Sequence, residues 1–139
     1  MLFRSQISAV KIVSPLVRQL PRGEGSPTYL VVHVRRPVAE VVASQRAMLA
    51  RDGRPGASVP DEALVASFDR QLVASRTFLA HLESTGRARV IDVHYHEAVA
   101  NPAATAARLA ELLGDSFDVT SAAAAVDGSL HRTRPPPRS

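Results

Sequence analysis

The hydrophobic pattern of the chain predicts short strands that alternate with helices. Apolar residues, mostly valine, dominate residues 9–13, 29–34 and 88–95. Apolar runs of this length are typical of strands that are buried in a parallel sheet. Because helical patterns separate the second run from the third and also follow the third, we predict an α/β fold with three parallel strands and helices that flank the sheet.

Local signals predict where the helices begin and end. Pro37 has its φ preset for a first helical turn, and Asn101 is a favourable cap for a helix that Pro102 opens. Glycine is favoured just past a helix end, so Gly86 and Gly114 indicate two ends. Beside the helix that starts at Pro37, we predict helices over residues 60–82, 102–113 and 119–126.

The turn between the second strand and its helix carries two arginines. Arg35 and Arg36 end the strand, directly before Pro37. In open α/β sheets, ligands bind beyond the carboxyl ends of the strands, and a helix N-terminus favours anions. Ser44 lies seven residues after Pro37 and therefore shares a helix face with the first turn. We interpret this segment as a phosphate or sulfate site.

A second interpretation of the same residues needs no ligand. Arginine often ends a strand in an arginine-rich protein, and Glu40 is placed to pair with one of the two guanidinium groups. The sequence leaves both interpretations open.

Composition limits the classes of function. The chain has 139 residues, of which 45% are hydrophobic, enough for a single core. We predict one domain over residues 1–131 and a flexible Arg/Pro-rich tail over residues 132–139. Only 4% of residues are aromatic, so stacking platforms for nucleic-acid bases are few. The net charge of +4 is scattered along the chain, and we expect no specific nucleic-acid partner.

Absent features indicate a cytoplasmic protein. The chain has no cysteine, which excludes disulfides and thiolate chemistry. No apolar run approaches the ~20 residues that span a bilayer, and residues 1–13 lack the pattern of a secretion signal. We expect the protein to lie in the cytoplasm, away from membranes.

Three histidines raise the question of a metal. His94 and His96 lie two residues apart on one predicted strand, and His33 lies on another. Such residues could converge on zinc, yet a histidine near a strand end more often makes an ordinary polar contact. We therefore expect no metal.

Four segments, in the same order, resemble parts of bacterial sulfotransferases that use 3′-phosphoadenosine 5′-phosphosulfate. VKIVSPLVRQLP is similar to a strand segment with lysine and proline, and VHVRRPVAEVVAS to the Arg–x–Pro to Ser segment. VIDVHYHEAVANPAATAARLAELLG resembles the Tyr–Glu strand end with its helix, and VDGSLHRTR the basic closing segment. The resemblance implies a three-layer, P-loop-like fold and sulfuryl transfer to a hydroxyl or amine.

The same resemblance implies roles for individual residues. Arg35 or Arg36 would bind the 3′-phosphate of the cofactor, and Ser44 would donate its hydroxyl to that group. Tyr95 would lie near the adenine. Lys11 matches the lysine of the family's second strand and is a weak catalytic candidate. The register is imperfect, because alignment on Pro37 places alanine where the family has its serine.

Two parts of the family pattern are missing from this sequence. No segment of residues 1–30 resembles the strand, Gly-rich phosphate loop and helix that hold the 5′-phosphosulfate. Val13 stands where many members have a catalytic histidine. We therefore expect an incomplete sulfotransferase sheet that is inactive alone, completed by a missing segment, a homo-oligomer or another partner. The alternative is a non-catalytic module that binds a nucleotide, a polyanion or a protein. The acceptor stays unidentified.

Overall fold

The computed structural model describes residues 9–53 and 59–130. These residues form a small parallel sheet with helices around it. The strands are β1 (Tyr29–Arg35) and β2 (Ala88–His94), and the α-helices are α1 (Val38–Arg51), α2 (Asp61–Ser84), α3 (Tyr95–Ala100), α4 (Pro102–Leu113) and α5 (Val119–Ala124). Two short 3₁₀ helices cover Ser14–Gln19 and Gly128–Leu130.

The sheet in the described part of the chain has two strands. β1 and β2 pair in parallel, from Tyr29 opposite Ala88 to Arg35 opposite His94. The connection between them runs through α1 and α2, as parallel pairing requires a long crossover. The α/β class and the parallel pairing are confirmed, whereas a sheet of three strands is not.

The predicted first strand at residues 9–13 is wrong. This segment lies in no strand, and it leads through Val13, which has extended backbone angles, into the 3₁₀ helix at Ser14–Gln19. Val10 and Val13 are 80% and 62% exposed. A strand needs a neighbour that exchanges backbone hydrogen bonds with it, and no described strand lies beside this segment. Its valines favour an extended conformation, but the segment has no described neighbouring strand with which to pair.

The predicted helix ends are confirmed where local chemistry is strong. Gly86 has φ +68°, and the N–H of Arg87 donates to the Leu82 carbonyl over 2.8 Å, which closes the end of α2. The side chain of Asn101 accepts from the N–H of Ala104 over 3.1 Å at the start of α4. Both signals act over a few residues, so the sequence alone reveals them.

The core lies where α2 meets the sheet and the first 3₁₀ helix. Ser75 is 1% exposed, and its hydroxyl donates to the Ser14 carbonyl over 2.9 Å. The bond attaches α2 to the 3₁₀ helix. The buried apolar side chains are Val17, Val42, Leu79, Leu82, Ala88, Val93 and Ala106.

One face of β1 remains open. Leu30, Val32 and Val34 point to the same side of the strand and are 42%, 38% and 56% exposed. β1 also pairs only with β2 among the described residues, so its other edge has no strand beside it there. Apolar surface and an open edge together indicate an incomplete sheet in this part of the chain.

Some predictions fall on residues outside the description. The predicted tail at residues 132–139 and the middle of the loop at residues 54–58 are among them. Of the helices that are described, none combines the length and the apolar character needed to cross a membrane.

Candidate functional site

The candidate site lies at the carboxyl ends of the two strands. β1 ends at Arg35, and Pro37 precedes α1; β2 ends at His94, and α3 begins at Tyr95. Because Arg35 lies opposite His94 in the parallel register, both turns leave the sheet side by side. The third strand was predicted to include Tyr95, but β2 ends at His94 and Tyr95 is the first residue of α3.

Arg36 belongs to a network that joins the two turns. Its Nε donates to Oε2 of Glu40 over 3.0 Å, and its Cζ lies 4.7 Å from the centre of the Tyr95 ring. Nε2 of His96 lies 2.8 Å from the other carboxylate oxygen of Glu40. When Glu40 is ionised, that nitrogen must carry the proton and donate. Glu40 therefore holds the start of α1 against the start of α3.

The electrostatics of this network favour an ionised Glu40. Its side chain is only 15% exposed, and this burial acts to raise the pKa. The hydrogen bonds from Arg36 and His96, with the charges of both groups, outweigh the burial and lower the pKa of Glu40 below its ordinary 4.5. The carboxylate is a stable anchor for Arg36 at neutral pH.

We predict that Glu40→Gln removes a pH-dependent part of the stability. A carboxyl whose pKa is lowered by folding stabilises the protein above its unfolded pKa, and this contribution disappears as the pH falls through the folded pKa. The wild type should thus lose stability below about pH 4.5. At pH 7 the variant should be less stable by about 1–2 kcal/mol, the usual scale of charged hydrogen bonds in a partly buried site. Urea unfolding at pH 7 and at pH 3.5 measures both; a difference that does not shrink at pH 3.5 would contradict the assignment.

Arg35 has a different environment from Arg36. It lies on the strand face that also carries His33, and both residues line a cavity of about 360 Å³ beside α2. No hydrogen bond or ion pair joins the side chain of Arg35 to any other described residue. Arg35 therefore presents an uncompensated guanidinium at the carboxyl end of β1, where a parallel α/β sheet binds its ligands.

His33 is held by the neighbouring strand. Its Nδ1 lies 2.8 Å from Oδ1 of Asp92, its register partner on β2, and its side chain is 12% exposed. The guanidinium of Arg108 donates to the Asp92 carbonyl over 3.1 Å. Contacts across the strands and from α4 thus fix the cavity wall beneath Arg35.

Comparison with protein-family models matches residues 25–118, more than half of the chain, to the sulfotransferase family. The chain belongs to the sulfotransferase family. A search of curated proteins and a search of solved structures each found no match. The family match includes the Arg–x–Pro to Ser segment and the Tyr–Glu segment but excludes residues 10–21, which contain Lys11.

The fold of this chain brings only some of the predicted site residues together. Arg35 and Arg36 line the cavity, and Tyr95 packs beneath Arg36. Ser44 is exposed on α1, and Lys11 is exposed before the first 3₁₀ helix; neither lines the cavity. Among the described residues, no group of three or more histidine or acidic side chains could hold a metal ion.

The structure adds residues from α2 that the sequence did not suggest. Asp69 and Arg76 line the same cavity as Arg35, with Leu72 and Val73 between them in the sequence. These positions at i, i+3, i+4 and i+7 form one helix face. In the sequence Asp69 and Arg76 look like ordinary solvated charges, because only the tertiary packing places them beside β1.

Proposed function

We propose that the chain binds the 3′-phosphoadenosine part of 3′-phosphoadenosine 5′-phosphosulfate at the carboxyl ends of β1 and β2. The observation that carries this proposal is the uncompensated guanidinium of Arg35 at a cavity, in a chain of the sulfotransferase family. An arginine fork matches the oxygens of a phosphate and can donate two parallel hydrogen bonds. Arg35 is thus the better candidate of the two arginines.

Arg36 and Tyr95 would help to position the nucleotide next to Arg35. Glu40 already neutralises Arg36, and the Tyr95 ring lies under its guanidinium. Arg36 would therefore act mainly by holding Tyr95 where it can lie near the adenine. Ser44 would join the 3′-phosphate only after a rearrangement, since it does not line the cavity.

The reaction of a completed site would be sulfuryl transfer. The acceptor oxygen or nitrogen forms a bond to sulfur while the bond from sulfur to the phosphate oxygen breaks, and a base takes the acceptor's proton. The leaving phosphate gains negative charge, which nearby cations stabilise. In this chain Arg35 would bind and orient the cofactor. Lys11 is a candidate for stabilising the negative charge of the leaving phosphate.

A further part of the site would have to hold the 5′-phosphosulfate. In the described residues, β1 and β2 each continue into a helix without a Gly-rich loop. We propose that a segment outside the described residues, a second copy or another partner supplies this part. The open edge of β1 and the exposed Leu30, Val32 and Val34 support that proposal, because an added strand would pair with the edge and an added helix would cover these side chains.

Calorimetric titration of the full chain tests this function. We expect 3′,5′-adenosine bisphosphate to bind at least tenfold more tightly than adenosine 5′-monophosphate, since only the former carries the 3′-phosphate that Arg35 would hold. Circular dichroism first establishes that the sample is folded. Equal affinities, or no binding of either nucleotide, would overturn the proposal.

The alternative is a non-catalytic module that keeps the nucleotide site. The observation that favours it is the position of Lys11, which is exposed and outside the cavity. Bisphosphate binding without transfer of radiolabelled sulfate to a panel of phenols, alcohols and amines is expected both of the module and of an enzyme that lacks its 5′-phosphosulfate part. Transfer to any of these acceptors would support the enzyme.

A further inference from the structure

The cavity wall formed by α2 also carries a positively charged side chain. Arg76 projects from the middle of α2 and lines the cavity with Arg35. It is exposed, and no hydrogen bond or ion pair joins its guanidinium to another described residue. The two uncompensated guanidinium groups therefore belong to two different elements and border one space.

We propose that Arg76 is a second phosphate ligand, which completes with Arg35 a site for a dianionic phosphate monoester. This inference rests on the proposed nucleotide function. A phosphate monoester carries close to two negative charges at neutral pH. Arg36 contributes little net charge, because Glu40 pairs with it. Arg35 and Arg76 together supply the two positive charges that match the ligand.

The charges around the cavity support a ligand over a purely structural role. Like charges that share a space repel each other, and neither Arg35 nor Arg76 has a counter-ion within 4 Å among the described residues. An anion between them would relieve that repulsion. Asp69 also lines the cavity but forms no ion pair with either arginine, so it would oppose an incoming anion.

The rest of the lining indicates that the phosphate is attached to an organic group. Leu72, Val73, Pro37 and Val38 give the cavity an apolar wall beside its cations. A bare inorganic ion makes no use of such a wall, whereas the ribose and base of a nucleotide would bury apolar surface against it. The expected ligand class is therefore a nucleoside 3′-phosphate.

Titrations of single variants test the role of Arg76. We expect Arg76→Ala to weaken binding of 3′,5′-adenosine bisphosphate by roughly ten- to a hundred-fold, the usual loss for a charged hydrogen-bond donor. Arg70→Ala is the matched control, because Arg70 lies on the same helix but outside this cavity. It should change affinity less than about twofold. Asp69→Asn should strengthen binding by a few fold, since it removes a like charge.

The set of variants separates this inference from the proposed function. If Arg35→Ala weakens binding while Arg76→Ala behaves like Arg70→Ala, the role of Arg76 is refuted and the nucleotide site stands. If the wild type does not distinguish the bisphosphate from adenosine 5′-monophosphate, both proposals fail. A tenfold loss of that discrimination in Arg76→Ala, with an unchanged unfolding midpoint, establishes Arg76 as a phosphate ligand.

Discussion

Replacing Leu82 with alanine is expected to lower the free energy of unfolding by about 2–5 kcal/mol, the range for a fully buried leucine. Leu82 is 2% exposed near the end of α2, and its carbonyl accepts the N–H of Arg87, the residue that leads into β2. The side chain therefore packs where the crossover returns to the sheet. Because the described part of the chain has a small core, a cavity there removes a large share of its stability. Urea unfolding followed by circular dichroism measures the change.

Val73→Ala is the matched control for this prediction. Val73 lies on the same helix, is also apolar, and is 64% exposed. Its truncation should change stability by less than about 0.5 kcal/mol. If Leu82→Ala were no more destabilising than Val73→Ala, the packing of α2 against the sheet would not be what stabilises this fold.

Arg35→Ala and Arg36→Ala are expected to affect different properties of the protein. Arg35→Ala should weaken binding of 3′,5′-adenosine bisphosphate by about 1.5–3 kcal/mol, because one charged donor is lost from the phosphate. It should leave the unfolding midpoint unchanged, since the side chain of Arg35 has no hydrogen bond or ion pair to another described residue.

Arg36→Ala should instead lower stability by about 1–2 kcal/mol. Arg36 is 22% exposed, and its loss takes a hydrogen bond from Glu40 and the cation above the Tyr95 ring. Calorimetry and urea unfolding of both variants separate the two roles. A large loss of affinity in Arg36→Ala together with none in Arg35→Ala would reverse the assignment of the phosphate ligand.

The elements that the sequence predicted correctly are those with strong local signals. Pro37 before α1, Asn101 before α4 and Gly86 after α2 each act on backbone groups a few residues away. α3 was missed, because six residues after a strand carry too little helical periodicity to be distinguished from a strand end. The strand at residues 9–13 was predicted from valine content alone, which does not supply a pairing partner.

The candidate site divides in the same way. The strand end that carries the two arginines was predicted from the sequence, because a strand, two arginines and Pro37 follow one another directly. The choice between the arginines was not, since Glu40 is a plausible partner for either of them in sequence. In the structure the Glu40 carboxylate bonds to Arg36 and also to His96, which is 56 residues away from Glu40 in the sequence. Contacts between distant segments thus decide which guanidinium stays uncompensated.

By itself, the sequence determined the α/β class, the resemblance to sulfotransferases and the strand end at which we propose that an anion binds. These properties follow from backbone preferences and from side chains adjacent in the chain. Only the tertiary structure decided that Arg36 pairs with Glu40 and that Arg76 lines the cavity of Arg35. Whether one charge neutralises another depends on distances of a few ångströms between their side chains. For residues far apart in the chain, these distances are set only when the chain folds.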